Sequence, residues 1–428
     1  MSNKTQLSGF ATRAIHGGYK ADETCARGIA IHPTAAYHFQ SCSSAANLFN
    51  LTEAGNIYTR ITNPTNADFE NRVASLYGAK GALAVSSGMA AIHLVVTSLT
   101  NAGGNIVASP YLYGGTYNLF RITLKNLGID CRIAKDDSIA SFEELIDSNT
   151  TLIYGESMGN PTCDVLDLEA LGQLAAKYEL PLVIDNTFGG CGYLCNPFDW
   201  GAHIVIESAT KWINGHGTAI GGVIVDNGSY DWGNKKYPQI NGANEGYHGL
   251  NLWESFADAA FIVKCRVDGL RDFGCSPSPF DAYLHLIGLE TLPLRLDHQV
   301  ASTRRLAEFC RQSPQVKSVS YVGFKEHRSY PNAQKYFRGG ASGVLNIELN
   351  SDLEGTVRFV EALKLCANMV MIGDSVTVVT HPASTTHKQL SKEDLIQAGV
   401  TPSLLRISLG LEDVKDIEED FKQAFGKI

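Results

Sequence analysis

The feature that most constrains the fold is a series of six short apolar runs that alternate with helix-like segments. The runs read GALAVSSG, NIVASP, TLIYGES, LPLVIDN, HIVIES and GGVIVD. Between them lie segments such as DLEALGQLAAKYE, whose apolar residues recur at about 3.6-residue spacing. This alternation is typical of βαβ units, so it predicts an α/β fold with a mostly parallel sheet covered on both faces. Several runs end in Ser, Gly, Asp or Asn, at the strand ends where such sheets bind ligands.

The pattern divides the chain into three parts. Residues 1–60 are rich in Ala, Ser and Thr and predict an extended arm with little core of its own. Residues 61–265 carry the alternating pattern and predict the α/β domain. From residue 266 onward, a long helical region precedes the strand-like GVLNIELN and SVTVVTHP, which predicts a smaller C-terminal α+β domain.

Charge and composition exclude several classes of partner. The net charge is −9 and no block of Lys and Arg occurs, so we expect no nucleic-acid partner. The opening MSNKTQLSGF is polar, and no apolar run reaches membrane-spanning length, so we expect a cytoplasmic protein without a membrane partner. Ten cysteines are scattered singly, which favours reduced thiols over disulfides or a metal site.

The stretch ESATKWINGHGTAIGG places one amine, Lys211, just after a buried-strand run. Burial lowers the pKa of an amine, as a Schiff-base lysine requires, although most lysines are simply solvated surface charges. Ser208 and Thr210 offer hydroxyls that suit a phosphate. The glycines that follow lack the spacing of a dinucleotide fingerprint, which weighs against a nicotinamide-dependent dehydrogenase.

Three further signals end or follow predicted strands. Asp185 is the acid near the end of LPLVIDN and suits a protonated ring nitrogen, or else an ordinary helix cap. Tyr113 precedes two glycines and suits stacking on a flat ring, or else an ordinary half-buried position. Ser87, Gly88 and Met89 form a predicted turn from a strand into a helix. Their backbone amides suit an anion, or else the turn is only the capped start of a helix. Taken together with the lysine, these groups describe a site for pyridoxal 5'-phosphate.

Ten motifs in order extend this hypothesis to nearly the whole chain. They are TRAIHGG, IYTRITNPT, AVSSGMAA, YLYGGTY, VIDNTFG, SATKWINGHGT, YHGLNLWESF, GLETLPLR, HPASTTHKQLS and LLRISLGLED. With these motifs the chain resembles the Cys/Met-metabolism enzymes that depend on pyridoxal phosphate, and among them most the O-acetylhomoserine sulfhydrylases. The resemblance implies the PLP-dependent transferase fold type I, which is like that of aspartate aminotransferase.

The resemblance also implies roles for individual residues. Lys211 would form the Schiff base, Asp185 would pair with the pyridine nitrogen, and Tyr113 would stack on the ring and serve as acid or base. The phosphate would be held by Ser87, Gly88, Met89, Ser208 and Thr210. Asn160 would contact the ring oxygen of the cofactor, and Arg406 would hold the α-carboxylate of the substrate. From a neighbouring subunit, Tyr58 and Arg60 would reach the phosphate, as expected in a tetramer of dimers that share active sites.

The implied activity is γ-replacement on O-acetyl-L-homoserine, with sulfide giving homocysteine and acetate. Some positions depart from the pattern of the family, among them Met371, at a place near the substrate carboxylate, and Glu207, before SATKW. We expect some of these positions, Met371 and Glu207 among them, to lie near the substrate or the incoming nucleophile, which leaves open a carbon or nitrogen nucleophile. A γ-lyase is a further alternative, against which Gly115 weighs because methionine γ-lyases often carry Cys there. A non-catalytic protein with an inherited fold is disfavoured by the intact set of functional residues.

Overall fold

The fold is described from a computed structural model, which covers residues 8–21, 23–385 and 400–428. The first seven residues of the predicted arm lie outside the described residues, and so does most of the HPASTTHKQLS motif. No helix in the described ranges is long and apolar enough to cross a membrane. Each of the ten cysteines is a free thiol.

Seven strands form the larger sheet, in the order β1-β7-β6-β5-β4-β2-β3. Their bounds are β1 Gly81–Val85, β2 Asn105–Ala108, β3 Asp130–Ile133, β4 Thr150–Glu156, β5 Leu182–Asp185, β6 Ile204–Glu207 and β7 Gly222–Asp226. The four pairs among β2 to β6 are parallel, and only the pairs made by β7 are antiparallel. All six predicted runs are strands, so the predicted α/β fold with a mostly parallel sheet is confirmed. The sequence reading missed β3, a short edge strand.

Helices cover both faces of this sheet and continue into the C-terminal part. Up to the last strand of the large sheet they are α1 Phe10–His16, α2 Cys42–Phe49, α3 Pro64–Tyr77, α4 Gly88–Leu99, α5 Gly114–Asn118, α6 Leu124–Asn126, α7 Ile139–Glu143 and α8 Leu168–Lys177. Beyond it they are α9 Pro238–Asn241, α10 Leu252–Phe256, α11 Ala260–Lys264, α12 Arg271–Phe273, α13 Pro279–Glu290, α14 Leu292–Gln312, α15 Tyr330–Tyr336, α16 Leu353–Ala362 and α17 Val414–Phe425. Two π-helical turns lie at Leu119–Thr123 and Cys265–Leu270.

The pleat of the sheet decides which side chains face each layer of helices. Ile184 and Val205 belong to the core on one face, and Val183 and Ile206 to the core on the other. Since alternate residues of a strand point to opposite faces, Asp185 shares the side of Val183, whereas Glu207 shares the side of Val205. This parity separates two acidic residues that end neighbouring strands.

A second sheet of five strands lies in the C-terminal part, in the order β10-β11-β12-β9-β8. Its strands are β8 Val316–Ser320, β9 Val344–Leu349, β10 Ala367–Asn368, β11 Val378–Thr380 and β12 Leu404–Ser408. Leu405 and Ile407 pack into its own core with Phe359 and Phe421, so Arg406 between them points to the opposite face. Helical residues run unbroken from Ala260 to Phe273 across the boundary placed at residue 266, and the division into three parts stays a prediction.

Candidate active site

Lys211 lies in the turn that follows β6. The turn is fixed by hydrogen bonds from its own amide to the Ser208 carbonyl, at 3.1 Å, and from the Gly215 amide to its carbonyl, at 2.8 Å. Its Nζ lies 3.2 Å from Sδ of Met371. Burial, together with the nearby positive charge of Arg406, lowers the pKa of this amine to about 8. The lysine is therefore poised to lose and gain a proton near neutral pH.

Asp185 is oriented by a residue that the sequence reading missed. Its Oδ1 accepts hydrogen bonds from the amide and the hydroxyl of Thr187, at 2.9 and 2.6 Å. The same hydroxyl oxygen accepts from the Ser208 amide at 2.9 Å, so it ties the end of β5 to the turn that carries the lysine. Burial raises the pKa of Asp185. The signal was present, because an Asp often bonds the backbone two residues ahead.

The start of α4 meets the turn around the lysine. Ser87 caps this helix, since its Oγ accepts a 3.1 Å hydrogen bond from an amide of the first turn. A Cβ atom at Gly88 would lie 2.9 Å from Cβ of Ser208, so only glycine permits this approach. Nearby, Thr210 Oγ1 donates to the Gly221 carbonyl at 3.2 Å and accepts from its amide at 3.0 Å. The structure thus brings helix amides and the hydroxyls of both strand turns together, as an anion site requires.

Tyr113 is 43% exposed at the N-terminus of α5. Its backbone amide donates a 2.6 Å hydrogen bond to Oε1 of the buried Glu156, which the sequence reading also missed. A Cβ at Gly115 would lie 2.6 Å from the tyrosine ring and 3.3 Å from Sδ of Met89, so this glycine lets the two side chains meet. The tyrosine is therefore anchored through its backbone, while a large part of its side chain stays exposed.

Arg406 is a buried cation, with 6% of its surface exposed. Its Nη1 donates to Asn160 Oδ1 at 2.9 Å, while Nη2 makes only 3.4 Å contacts to the Met371 carbonyl and to Thr380 Oγ1. Its Nε has no partner, and no acidic side chain within the described residues pairs with it. Burial lowers its pKa. An uncompensated buried guanidinium of this kind suits a carboxylate ligand.

Two of the predicted cofactor residues stand apart from this group. Arg60 donates to the Arg271 carbonyl, and its guanidinium lies 5.4 Å from the ring centroid of Tyr58. Tyr58 is 42% exposed. Within the described part of the chain neither side chain hydrogen-bonds to the groups around Lys211. Their contribution to a neighbouring subunit stays a prediction.

Glu207 does not lie where the sequence reading placed it. The expectation that it adjoins the substrate is wrong, because it lies on the opposite face of the sheet from Asp185. There its carboxylate accepts hydrogen bonds from the Tyr77 hydroxyl and, at 3.0 Å, from the Cys191 amide. Burial raises its pKa to about 8. Met371, by contrast, contacts the amine of Lys211 through its Sδ.

The arrangement fits pyridoxal phosphate on its own chemistry. It offers an amine for an aldehyde, a carboxylate for a ring nitrogen, an aromatic ring for stacking and helix amides for a phosphate. The tight approach at Gly88 places the anion site directly against the turn of the lysine. The buried Arg406 is a planar cation of the kind that binds carboxylates.

Comparison with known proteins agrees with this reading. The family model described as Cys/Met metabolism PLP-dependent enzyme matches residues 11–426. An O-acetyl-L-homoserine sulfhydrylase 1 from Thermus thermophilus is 47% identical over 97% of this chain and 99% of its own length. A homocysteine synthase from Schizosaccharomyces pombe is 44% identical over 97% of each chain.

A solved structure gives the same result for the fold. It belongs to a protein described as an O-acetylhomoserine (thiol)-lyase from Campylobacter jejuni, and contains N'-pyridoxyl-lysine-5'-monophosphate. The match has a TM-score of 0.94 at 36% identity, and covers 97% of this chain and 99% of that one. The two chains therefore share one architecture along almost their whole length.

Proposed function

The chain belongs to the Cys/Met metabolism PLP-dependent enzymes, and from that premise we propose that it catalyses γ-replacement on O-acetyl-L-homoserine. Sulfide is the incoming nucleophile, and the products are homocysteine and acetate. The proposal is supported by the names of the similar proteins from Thermus thermophilus and Schizosaccharomyces pombe. It goes beyond the family and its fold type I architecture by naming a particular substrate and nucleophile.

One observation carries the proposal, namely that Lys211 and Arg406 lie on either side of a single residue. Nζ of the lysine is 3.2 Å from Sδ of Met371, and Nη2 of the arginine is 3.4 Å from the carbonyl of the same residue. An amine of lowered pKa thus lies close to a buried cation without an acidic partner. This pairing matches the α-carbon and the α-carboxylate of an amino acid.

The cofactor would be held by the groups already described. Asp185 would hold the ring nitrogen, Tyr113 would pack on the ring, and Asn160 would contact the ring oxygen. The phosphate would be bound by Ser87, Gly88, Met89, Ser208 and Thr210. When bound, pyridoxal phosphate supplies an electron sink that stabilises negative charge at the reacting carbons of the substrate. The protein contributes position and proton transfer.

Lys211 is the group that moves protons. Its amine removes the α-proton of the substrate, and with Tyr113 it carries protons between the α- and β-carbons. Arg406 holds the α-carboxylate through two donors, which fixes the α-carbon against the lysine. Acetate leaves the γ-carbon with the electron pair of the C–O bond. Hydrosulfide supplies the pair for the new C–S bond, so that O-acetylhomoserine and HS⁻ give homocysteine and acetate without a redox change.

We further propose that two copies of the chain share active sites within a tetramer. Tyr58 and Arg60 form a cation–π pair on the arm, and within the described residues neither side chain hydrogen-bonds to the groups around Lys211 of the same chain. The arm also exposes apolar rings, since Phe39 and Phe49 are 42% and 56% exposed and contact each other. Such a surface suits burial against a second copy. Mixing subunits that carry Arg60→Ala with subunits that carry Lys211→Ala tests this, because a shared site restores part of the activity and a self-contained site restores none.

The reaction itself is tested with purified enzyme and pyridoxal phosphate. We expect homocysteine and acetate in equal amounts when O-acetyl-L-homoserine and sulfide are both supplied. Acetate released with 2-oxobutanoate, in the absence of a nucleophile, would identify a γ-lyase instead. If sulfide gives no homocysteine while a carbon or nitrogen nucleophile is incorporated, γ-replacement holds but the proposed nucleophile is wrong.

A further inference from the structure

Met371 is the side chain that contacts Lys211 Nζ from the side of the small sheet. Its Sδ lies 3.2 Å from the amine, and Met371 is half-buried. Two carbon–carbon bonds of about 1.5 Å each separate the α-carbon from the γ-carbon, so a base that serves the α- and β-carbons also lies near the γ-carbon. Met371 therefore borders the space where the nucleophile must enter.

The backbone of this segment is held against the neighbour of the lysine. Gly373 has a φ of 71°, and a Cβ there would lie 2.5 Å from the indole of Trp212. The Gly373 amide donates to Ser408 Oγ at 3.0 Å. Gln299 bridges the same two elements, because it accepts from Trp212 Nε1 at 3.0 Å and donates to the Asp374 carbonyl at 2.7 Å. The position of residue 371 relative to Lys211 is thus fixed by contacts on both sides.

A thioether in this place has definite consequences. It carries no charge and donates no hydrogen bond, so it fills space beside the reacting carbons without competing for the α-carboxylate at Arg406. An incoming group larger than hydrosulfide would have to displace it. Building on the proposed γ-replacement, we propose that Met371 is a specificity-determining residue that limits the incoming nucleophile to a small sulfur species.

The test measures binding of the products that different nucleophiles would give. L-Homocysteine, L-methionine and L-ethionine present a thiol, an S-methyl and an S-ethyl group in the same position, and their dissociation constants with the cofactor-loaded enzyme can be measured by calorimetry. When a side chain already fills the site, one or two extra carbon atoms on the ligand weaken binding by about 10-fold or more. We expect the wild-type enzyme to bind L-ethionine at least about 10-fold more weakly than L-homocysteine.

Substitutions then separate the size of the side chain from other effects. Met371→Ala should bring the dissociation constants of L-ethionine and L-homocysteine to within about 3-fold of each other, because it removes the three outer atoms of the side chain. Met371→Leu should keep the wild-type preference. The matched control is Met369→Ala, since Met369 is 37% exposed and contacts the small sheet through its carbonyl. It should also keep the wild-type preference.

The proposal is overturned if the wild-type enzyme binds all three amino acids equally, or if Met371→Ala leaves the preference intact. It is also overturned if Met369→Ala abolishes the preference to the same extent. Because binding requires no turnover, these outcomes are independent of whether sulfide gives homocysteine. A failure of that reaction in every variant would count against the proposed function alone.

Discussion

The backbone amide of Tyr113 donates a 2.6 Å hydrogen bond to the carboxylate of Glu156, and so ties an exposed ring to the buried end of β4. Glu156 lies opposite Asp185 in the register of β4 and β5. Tyr113 and Asp185, which we propose holds the ring nitrogen, are therefore positioned by one pair of strands. Burial and the neighbouring Asp185 both raise the pKa of Glu156.

Replacing Glu156 should weaken cofactor binding. Glu156→Ala leaves the Tyr113 amide without its acceptor, and an unsatisfied partner costs about 1–3 kcal/mol, or about 5- to 150-fold in affinity. Glu156→Gln retains an acceptor oxygen, so its affinity for the cofactor should stay close to that of the wild-type enzyme. The measurement is the dissociation constant of pyridoxal phosphate, from absorbance during titration of the cofactor-free protein. Wild-type affinity in the Ala variant would show that Glu156 does not anchor the tyrosine.

Arg406 should control substrate binding more than chemistry. Arg406→Gln removes the charge that we assign to the α-carboxylate, and loss of a charge-assisted hydrogen bond costs about 1.5–3 kcal/mol, which raises KM for O-acetyl-L-homoserine about 10- to 100-fold. Arg406→Lys keeps the charge but not the two parallel donors. Its KM should therefore lie between those of the wild-type enzyme and of Arg406→Gln. Steady-state kinetics provide the check. The matched control is Arg305→Gln, whose arginine pairs with Glu418 on the surface. An unchanged KM in Arg406→Gln would remove the arginine from the substrate site.

The sequence alone predicted the strands of the large sheet and the groups at their carboxyl ends, because both follow from local patterns. The apolar runs identify buried strands, and the residues that follow them, such as Lys211 and Asp185, must lie at one edge of a parallel sheet. The edge strand Asp130–Ile133 escaped because it is short and only partly buried.

Contacts across the chain were beyond the sequence. Met371 and Lys211 are 160 positions apart, and Arg406 and Asn160 are 246 apart, so their proximity depends on how the small sheet packs against the large one. Glu207 was misplaced for a simpler reason. We expected it near the substrate because it departs from the family pattern just before SATKW, whereas the alternation of a strand sends its side chain to the other face.

The placement of Glu207 predicts how stability depends on pH. Its pKa is about 8 in the folded protein and 4.5 ordinarily, so between these values the folded state binds the extra proton. The contribution of this group to the free energy of unfolding is present below pH 4.5 and is lost as the pH rises through 8.

Glu207→Gln should remove this loss, since glutamine stays neutral and can still accept from the Cys191 amide. We expect the variant to be more stable than the wild-type protein at pH 9 by about 1–3 kcal/mol, and to differ little at pH 5. Urea unfolding at the two pH values measures this. A difference that is the same at both pH values would contradict the assigned titration. The preference among amino-acid ligands should be unchanged, because the residue faces away from the site.

Lys211 should show the opposite dependence in the cofactor-free protein. Its pKa is lowered from 10.5 to about 8 by burial, so between these values the unfolded chain binds more protons and stability rises with pH. Lys211→Met removes the cost of the buried charge. At pH 6.5 the variant should be more stable than the wild-type protein by about 1–3 kcal/mol, and the gap should narrow at pH 9.5. If the variant is less stable at pH 6.5, the amine is not desolvated as described.

The central claim is that Lys211 is the amine that carries the cofactor, and it is tested most directly by chemical trapping. The loaded enzyme is reduced with borohydride, digested and analysed by mass spectrometry for the pyridoxyl phosphate adduct. We expect the adduct on the peptide that contains Lys211, and its loss from that peptide in Lys211→Arg. An adduct on another lysine of the wild-type enzyme, with the Lys211 peptide unmodified, would contradict the account.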